Sequence, residues 1–144
     1  NKGQVGVMMD ELAISVVGLV PFLMHFVPAV LIVLVFMWIY SWVTPHDEAA
    51  LIRENNAAAA IAFLGALLGF TFPLASAMAN SDGLIDFVVW AVIAGAAQLI
   101  TFLVFRAFFP RISERVTNGE VAAAVNLAGW SVMVGTINAA AMTY

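Results

Sequence analysis

Several polar side chains lie inside long apolar stretches of this chain, and they are its candidates for a functional role. Gln98 and Thr101 are three residues apart, and Ser131 and Asn138 are seven apart, so each pair shares one face of a helix. Two such faces on neighbouring helices could line a hydrated path for an ion or small solute. The candidate path residues are Gln98, Thr101, Asn126, Ser131, Asn138 and His25. The commoner role of such groups is interhelical hydrogen bonding, worth about 0.6 kcal/mol on average.

His25 is the one ionisable residue deep inside an apolar stretch. Titratable groups within a membrane are functional candidates because they are expensive to bury there. The alternative role of His25 is structural, since Pro21 and Pro28 each leave a backbone carbonyl without its donor. A neutral imidazole could satisfy such a carbonyl.

Pro73 lies in the middle of another apolar stretch, with Thr71 beside it, and frees a carbonyl one turn earlier. Broken helices often mark binding sites in transporters. The commoner case is a proline kink whose carbonyl is satisfied by a serine or threonine. Both interpretations stay open.

No pattern typical of an enzyme site is present. His25 and His46 lie on different segments and the chain has no cysteine, so metal-ligand spacing is absent. A glycine-rich phosphate loop, a serine nucleophile elbow and a pair of carboxylates are absent too. We therefore expect a non-enzymatic protein with no catalytic residue, no metal and no cofactor. A net charge of −4 with five basic residues also argues against a nucleic-acid partner.

The composition indicates a lipid bilayer as the surrounding solvent. Of 144 residues, 64% are hydrophobic and 10% are charged, and the mean hydropathy is +1.03. A soluble domain has about 25% charged residues, so this chain lacks the polar surface to cover a water-soluble globule. The sequence predicts an all-α, polytopic membrane protein.

Charged residues divide the chain into four apolar stretches, each long enough to span a bilayer with about 20 residues. The stretches are Leu12–Val43, Ala57–Ser81, Phe87–Phe105 and Val121–Tyr144. Because the first is longer than one span needs, we place its transmembrane helix at residues 18–43. Residues 1–17 are then an extracytoplasmic or interfacial segment. No basic segment precedes the first stretch, so we expect no cleavable signal.

Basic residues predict the orientation. Arg53 lies in the first connection, and the third holds Arg106, Arg111 and Arg115, whereas the second connection and the C-terminus have none. Positively charged loops stay in the cytoplasm. Both termini are therefore predicted to be extracytoplasmic.

The two halves of the chain resemble each other. Residues 54–78 and 118–142 align with a shift of 64 and share seven identities, among them the pair Gly65 and Gly129. This predicts two helical hairpins, residues 18–80 and 81–144, that run in the same direction as parallel repeats.

Small residues predict which helices pack at the centre. Membrane helices associate through close backbone contact, which favours glycine and alanine. The predicted packing glycines are Gly65, Gly69, Gly129 and Gly135. The second and fourth spanning helices should therefore form the centre, and the bulky first helix should mainly face lipid, with Trp38, Tyr40 and Trp42 in an aromatic belt.

The first connection predicts a short helix with Thr44 as N-cap, Pro45 at the first helical position and Asp47 at the third. The third connection repeats this pattern after Pro110. Both could bind a cytosolic partner or rest on lipid headgroups. The candidate docking residues are Asp47, Arg53, Arg111 and Arg115.

Four motifs resemble a known family in order and spacing. They are Thr44-Pro-His-Asp-Glu48, Leu51-Ile-Arg-Glu-Asn-Asn-Ala57, Leu68-Gly-Phe-Thr-Phe-Pro-Leu-Ala-Ser76 and Asn138-Ala-Ala-Ala-Met-Thr-Tyr144. Over residues 20–144 the chain resembles the YjfL family of small bacterial inner-membrane proteins, which contain two copies of a two-helix domain of unknown function. The resemblance implies an inner-membrane location and four spans, and it implies no catalytic residue.

Two functions of different classes fit these observations. The first is a bundle that associates into homo-oligomers, or joins a membrane complex, and passes an ion or small solute. The second is a membrane anchor that recruits a cytosolic protein through residues 44–56 and 106–120. In both, the lipid bilayer is the constant partner.

Overall fold

A computed structural model describes residues 1–143, which form six helices and no strand. They are α1 (Lys2–Val43), α2 (Glu48–Arg53), α3 (Ala57–Asn80), α4 (Leu84–Phe108), α5 (Ile112–Thr117) and α6 (Val121–Ala141). Within this part of the chain, α1, α3, α4 and α6 are long and apolar enough to cross a membrane. The predicted all-α fold with four candidate spans is confirmed.

The chain divides into two compact units, Asn1–Leu31 and Ile32–Tyr144, so the two parts of α1 are described separately. In the first unit the helix begins at Lys2, so it is longer than the transmembrane segment predicted at residues 18–43. The reason is that no proline precedes Pro21, and isolated glycines lower helix stability without ending a helix. The helix also continues through Pro21 and Pro28. The position of residues 1–17 relative to the membrane stays a prediction.

In the second unit, α3 packs against α6 through glycines. A Cβ atom added to Gly65 would overlap Ala128, and one added to Gly69 or Gly135 would overlap backbone of the facing helix. The backbones therefore touch, which only the absence of a side chain allows. This places α3 and α6 at the centre, as predicted.

Gly129 does not share in this contact, and its predicted packing role is wrong. A Cβ atom there would meet nothing within 4 Å. The buried face of α6 contains Leu127, Ser131 and Gly135, spaced by four residues. Gly129 lies two positions from Leu127 and so faces away from that side of the helix.

The part of α1 that belongs to this second unit, residues 32–43, contributes aromatic packing to it. Phe36 stacks on Phe70 of α3 with ring centroids 4.1 Å apart, and Tyr40 meets Phe102 of α4 edge-on at 5.7 Å. Trp38 and Trp42 are exposed, as an aromatic belt requires, but Tyr40 is buried. Tyr40 therefore belongs to the packed interior, in contrast to the predicted belt.

The connections form matching short helices. The bounds of α2 and α5 differ by 64 residues, as do the first residues of α3 and α6. Asn55 and Gly119, which also correspond, both have positive φ, 63° and 79°. The duplication stays a prediction, and these bounds support it.

Candidate functional site

Gln98 joins three helices from a buried position on α4. Its Nε2 donates to the backbone oxygens of Gly69 on α3 and Ser131 on α6, each at 3.0 Å. The Gly69 oxygen is the carbonyl that Pro73 leaves without a backbone donor. Both partners of Gln98 are carbonyl oxygens, which only accept hydrogen bonds. The amide nitrogen of Gln98, and not its amide oxygen, must therefore face them, and this fixes the orientation of the side-chain amide.

The proline kink is therefore satisfied by an amide from a neighbouring helix. Thr71, beside Pro73, donates instead to Leu67 O of its own helix at 2.7 Å. The serine or threonine that the commoner case predicts is not the donor here. Gln98 supplies that bond and also places α4 against the contact between α3 and α6.

The candidate path residues are not gathered in one place within the described chain. Gln98 and Ser131 meet, but Thr101 donates to Ala97 O of its own helix at 2.7 Å, and Asn126 is exposed. Asn138 is half-buried, and its Nδ2 is a buried atom with no partner. The set contains one interhelical hydrogen-bond centre and several separate polar groups.

His25 belongs to the first unit and is exposed. Its Nδ1 lies 2.8 Å from Pro21 O. That carbonyl precedes His25 by four residues, so it differs from the carbonyls that the two prolines free. The imidazole satisfies a backbone oxygen, though not one of those predicted.

Thr44, His46 and Glu48 form a buried polar cluster between α1 and α2. The sequence patterns do not predict it. Glu48 Oε1 is 2.6 Å from Thr44 Oγ1 and 3.4 Å from His46 Nε2. The side chain of Glu48 is 2% exposed. In this segment Thr44, His46 and Glu48 are buried, while Pro45 and Asp47 are exposed, and no apolar pattern in the sequence predicts that burial.

The predicted cap of α2 is wrong because Thr44 belongs to this polar cluster. Thr44 Oγ1 is 3.0 Å from Tyr40 O, at the end of α1. The N-cap of α2 is Asp47, whose carboxylate accepts from Ala50 N at 3.1 Å. Asp47 precedes α2 and does not lie at its third position.

Burial shifts the pKa values of two groups in this polar cluster. Desolvation raises the pKa of the Glu48 carboxyl, and desolvation lowers the pKa of the His46 imidazole. Thr44 has one hydroxyl hydrogen but contacts three oxygens, Glu48 Oε1 at 2.6 Å, Tyr40 O at 3.0 Å and Ser41 O at 3.4 Å. The hydrogen bond that Thr44 donates to Glu48 Oε1 lowers the pKa of Glu48, and desolvation, the larger effect, raises it.

Replacing Glu48 by Gln should remove a pH dependence of stability. The folded pKa of Glu48 is raised above its ordinary value of 4.5, so stability falls as pH rises from that value through the raised pKa. The loss is at most about 1.4 kcal/mol per pH unit in this window. His46 has the opposite effect because burial lowers its pKa. The fold loses stability as pH falls from the ordinary imidazole pKa of 6.5 through the lowered pKa of His46. Thermal unfolding in mild detergent at several pH values measures both slopes.

Glu54→Gln is the matched control, because Glu54 is an exposed carboxylate of the same connection. Its pH profile should follow the parent. If Glu48→Gln and the parent lose stability in parallel with rising pH, Glu48 is not the titrating group.

The two short connections are held together by Asn56. Its Nδ2 donates to Val116 O and Thr117 O at the end of α5, both at 3.1 Å. Its Oδ1 accepts from Ala59 N at 3.0 Å and so caps α3. One side chain therefore fixes the start of α3 to the end of α5.

The four predicted docking residues lie in these two connections. Asp47, Arg53 and Arg111 are exposed, and Arg115 is half-buried. Arg111 pairs with Glu114 at 3.1 Å and Arg115 with Glu120 at 3.2 Å. We call residues 44–56 and 106–120 the connection surface. In the described residues, no group of three or more His, Asp or Glu could hold a metal ion.

Comparison with known proteins gives consistent matches over most of the chain. The family described as Domain of Unknown Function (DUF350) matches residues 13–142. The chain is 40% identical over 127 residues to the UPF0719 inner membrane protein YjfL of Escherichia coli strain K12, covering 88% of this chain and 96% of that protein. The protein of the same description from Escherichia coli O157:H7 matches to the same extent. No solved structure matches the chain.

Proposed function

This chain belongs to the DUF350 family and is an integral inner-membrane protein, and we propose that it acts there as a non-enzymatic anchor that recruits a cytosolic protein. The binding face is the connection surface. The observation that carries this proposal is the pair of hydrogen bonds from Asn56 to Val116 O and Thr117 O. These bonds turn two separate loops into one ordered surface.

Order in a surface favours recognition because less conformational entropy is lost on binding. Both α2 and α5 are short helices with defined ends, and each is followed by a residue of positive φ, Asn55 or Gly119. Exposed charges of both signs lie on them, including Arg53 and Glu54. Such mixed charge suits a protein partner better than an anionic polymer.

The proposal requires the connection surface to face the cytoplasm. Four of the five basic residues, all arginines, lie in or beside these two connections, and Lys2 lies near the N-terminus. The positive-inside tendency supports this orientation, with the arginine-bearing connections in the cytoplasm and both termini outside.

Photo-crosslinking in whole cells tests the orientation and the recruitment together. A photoreactive residue replacing Arg53 or Arg111 should capture the same soluble cytosolic protein, since one surface carries both positions. The control position is Asp82, an exposed residue of the α3–α4 turn. Capture of a protein from outside the cytoplasm at Arg53, or capture at Asp82 alone, would overturn both proposals.

The variant Asn56→Asp tests whether the hydrogen bonds from Asn56 to α5 organise the binding face. The aspartate keeps the oxygen that caps α3 but lacks the donor to Val116 O and Thr117 O. Capture at the two positions should fall while the helix content stays that of the parent. Undiminished capture would mean that Asn56 does not organise the binding face.

An oligomeric pore for an ion or small solute is the second candidate. Its support is the pair of buried amide atoms without a partner, Gln98 Oε1 and Asn138 Nδ2. Copies that associate through their exposed faces could hydrate these groups. The discriminating measurement is flux through liposomes containing the pure protein, repeated with Asn138→Leu. Absence of parental flux would remove the pore, and flux lost in a variant of unchanged stability would favour it.

A further inference from the structure

Two adjoining cavities lie between α4 and α6 at the end of the bundle that carries the connections. Their volumes are 320 Å³ and 480 Å³, and Phe105, Phe108 and Phe109 line both. Each cavity falls in the size range of small-molecule sites, about 300–1,000 Å³. We call the two together the α4–α6 groove.

One end of the α4–α6 groove is polar and basic. Arg111, Arg115 and Asn126 line it, whereas their acidic neighbours Glu114 and Glu120 do not. Arg111 uses two of its nitrogens for Glu114 and Arg115 uses one for Glu120, so both guanidinium groups keep free donors. Exposed ion pairs of this kind contribute about 0–1 kcal/mol, which a phosphate group can replace.

The other end is apolar and lies beside the spanning part of the helices. Val104 of α4 and Trp130 and Val134 of α6 line it. From Ile100 to Phe108, which both line this end, the rise along α4 is about 12 Å, at 1.5 Å per residue. One leaflet of the hydrocarbon core is about 15 Å thick, half of the whole. The apolar end therefore has the depth of an acyl chain within one leaflet.

We propose that the α4–α6 groove binds one anionic phospholipid. Its phosphate contacts Arg111, Arg115 and Asn126, and an acyl chain lies along Val104, Trp130 and Val134. Basic pockets between spanning helices are suited to acidic headgroups. The polar and apolar ends of the groove match the two ends of an amphiphile. A free phosphate would fill only the polar end, and an apolar peptide only the apolar end. This inference does not depend on recruitment of a cytosolic partner.

Native mass spectrometry of the full chain tests the polar end. The purified protein is titrated in mild detergent with phosphatidylglycerol, or with phosphatidylethanolamine of the same acyl chains. Phosphatidylglycerol should bind more tightly. Each substitution Arg111→Gln or Arg115→Gln should weaken it roughly fivefold, and the double variant roughly thirtyfold, given the attraction of a basic residue to acidic lipid.

The matched control for charge is the double variant Arg53→Gln with Arg106→Gln. Both arginines are exposed, and neither lines the groove. It removes the same charge and should bind phosphatidylglycerol as the parent does. Equal weakening in both double variants would overturn the site, because it would show attraction by net charge alone.

Val104→Trp tests the apolar end by filling it, with Val92→Trp as control on the same helix. Val92 is exposed and lies outside the groove. Val104→Trp should lower the affinity for long-chain phosphatidylglycerol, whereas Val92→Trp should not. Glycerol phosphate, the probe for the headgroup alone, should compete poorly. Unchanged lipid binding in Val104→Trp, or effective competition by glycerol phosphate, would overturn the proposal.

Discussion

Gly135→Ala is expected to separate α3 from α6 and destabilise the bundle by about 3 kcal/mol, at the upper end of the usual overpacking penalty. The added methyl group would overlap Gly69 O, and the Gly69 Cα would lie only 2.6 Å away. Backbone atoms cannot move aside as a flexible side chain can. The same shift would break the hydrogen bond from Gln98 to Gly69 O. Thermal unfolding and extraction yield in mild detergent measure the loss.

Gly129→Ala is the control on the same helix, where a methyl group meets nothing within 4 Å. Since alanine is better than glycine in a helix by about 1 kcal/mol, this variant should be neutral or slightly more stable. Only Gly135→Ala should therefore lower the stability. If Gly135→Ala unfolds like the parent, the α3–α6 backbones do not touch at this point.

Spacing of small residues was sufficient to predict which helices pack, but not which side of α6 does so. Gly129 was paired with Gly65 because the two correspond in the repeat. In the structure Gly65 faces Ala128, which serves the same purpose with one methyl group. Corresponding residues of two repeats need not meet each other, since each meets whatever the crossing angle places opposite.

Long-range polar partners could not be read from the local sequence. Pro73 predicts that the carbonyl of Gly69 lacks its backbone donor. The side chain that donates to it is Gln98, 29 positions further along the chain. The buried Thr44, His46 and Glu48 follow one another within five residues, yet their burial depends on the fold of the connection. Sequence reasoning therefore predicted the apolar architecture better than the polar contacts that complete it.

Gln98→Leu should destabilise the bundle by about 1–3 kcal/mol, because it leaves a buried carbonyl unpaired. The average hydrogen bond between membrane helices is worth less, about 0.6 kcal/mol, since lost partners are often replaced. Gly69 O has no such replacement: Pro73 removes its backbone donor, and Gly69 is buried. Thr101→Ala is the control on α4, because Ala97 O lies in the same helix and retains its backbone donor. Thermal unfolding in detergent compares the two.

A double-mutant cycle with Pro73→Ala isolates the cause. Alanine at this position restores the N–H that a regular helix directs at Gly69 O, so Gln98 is no longer its sole donor. In the Pro73→Ala background the loss caused by Gln98→Leu should shrink, with a coupling free energy of about 1 kcal/mol, within the range for residues that share a partner. Additive losses would show that Gln98 acts by filling space between α3, α4 and α6, and the proline-freed carbonyl would then play no part in its role.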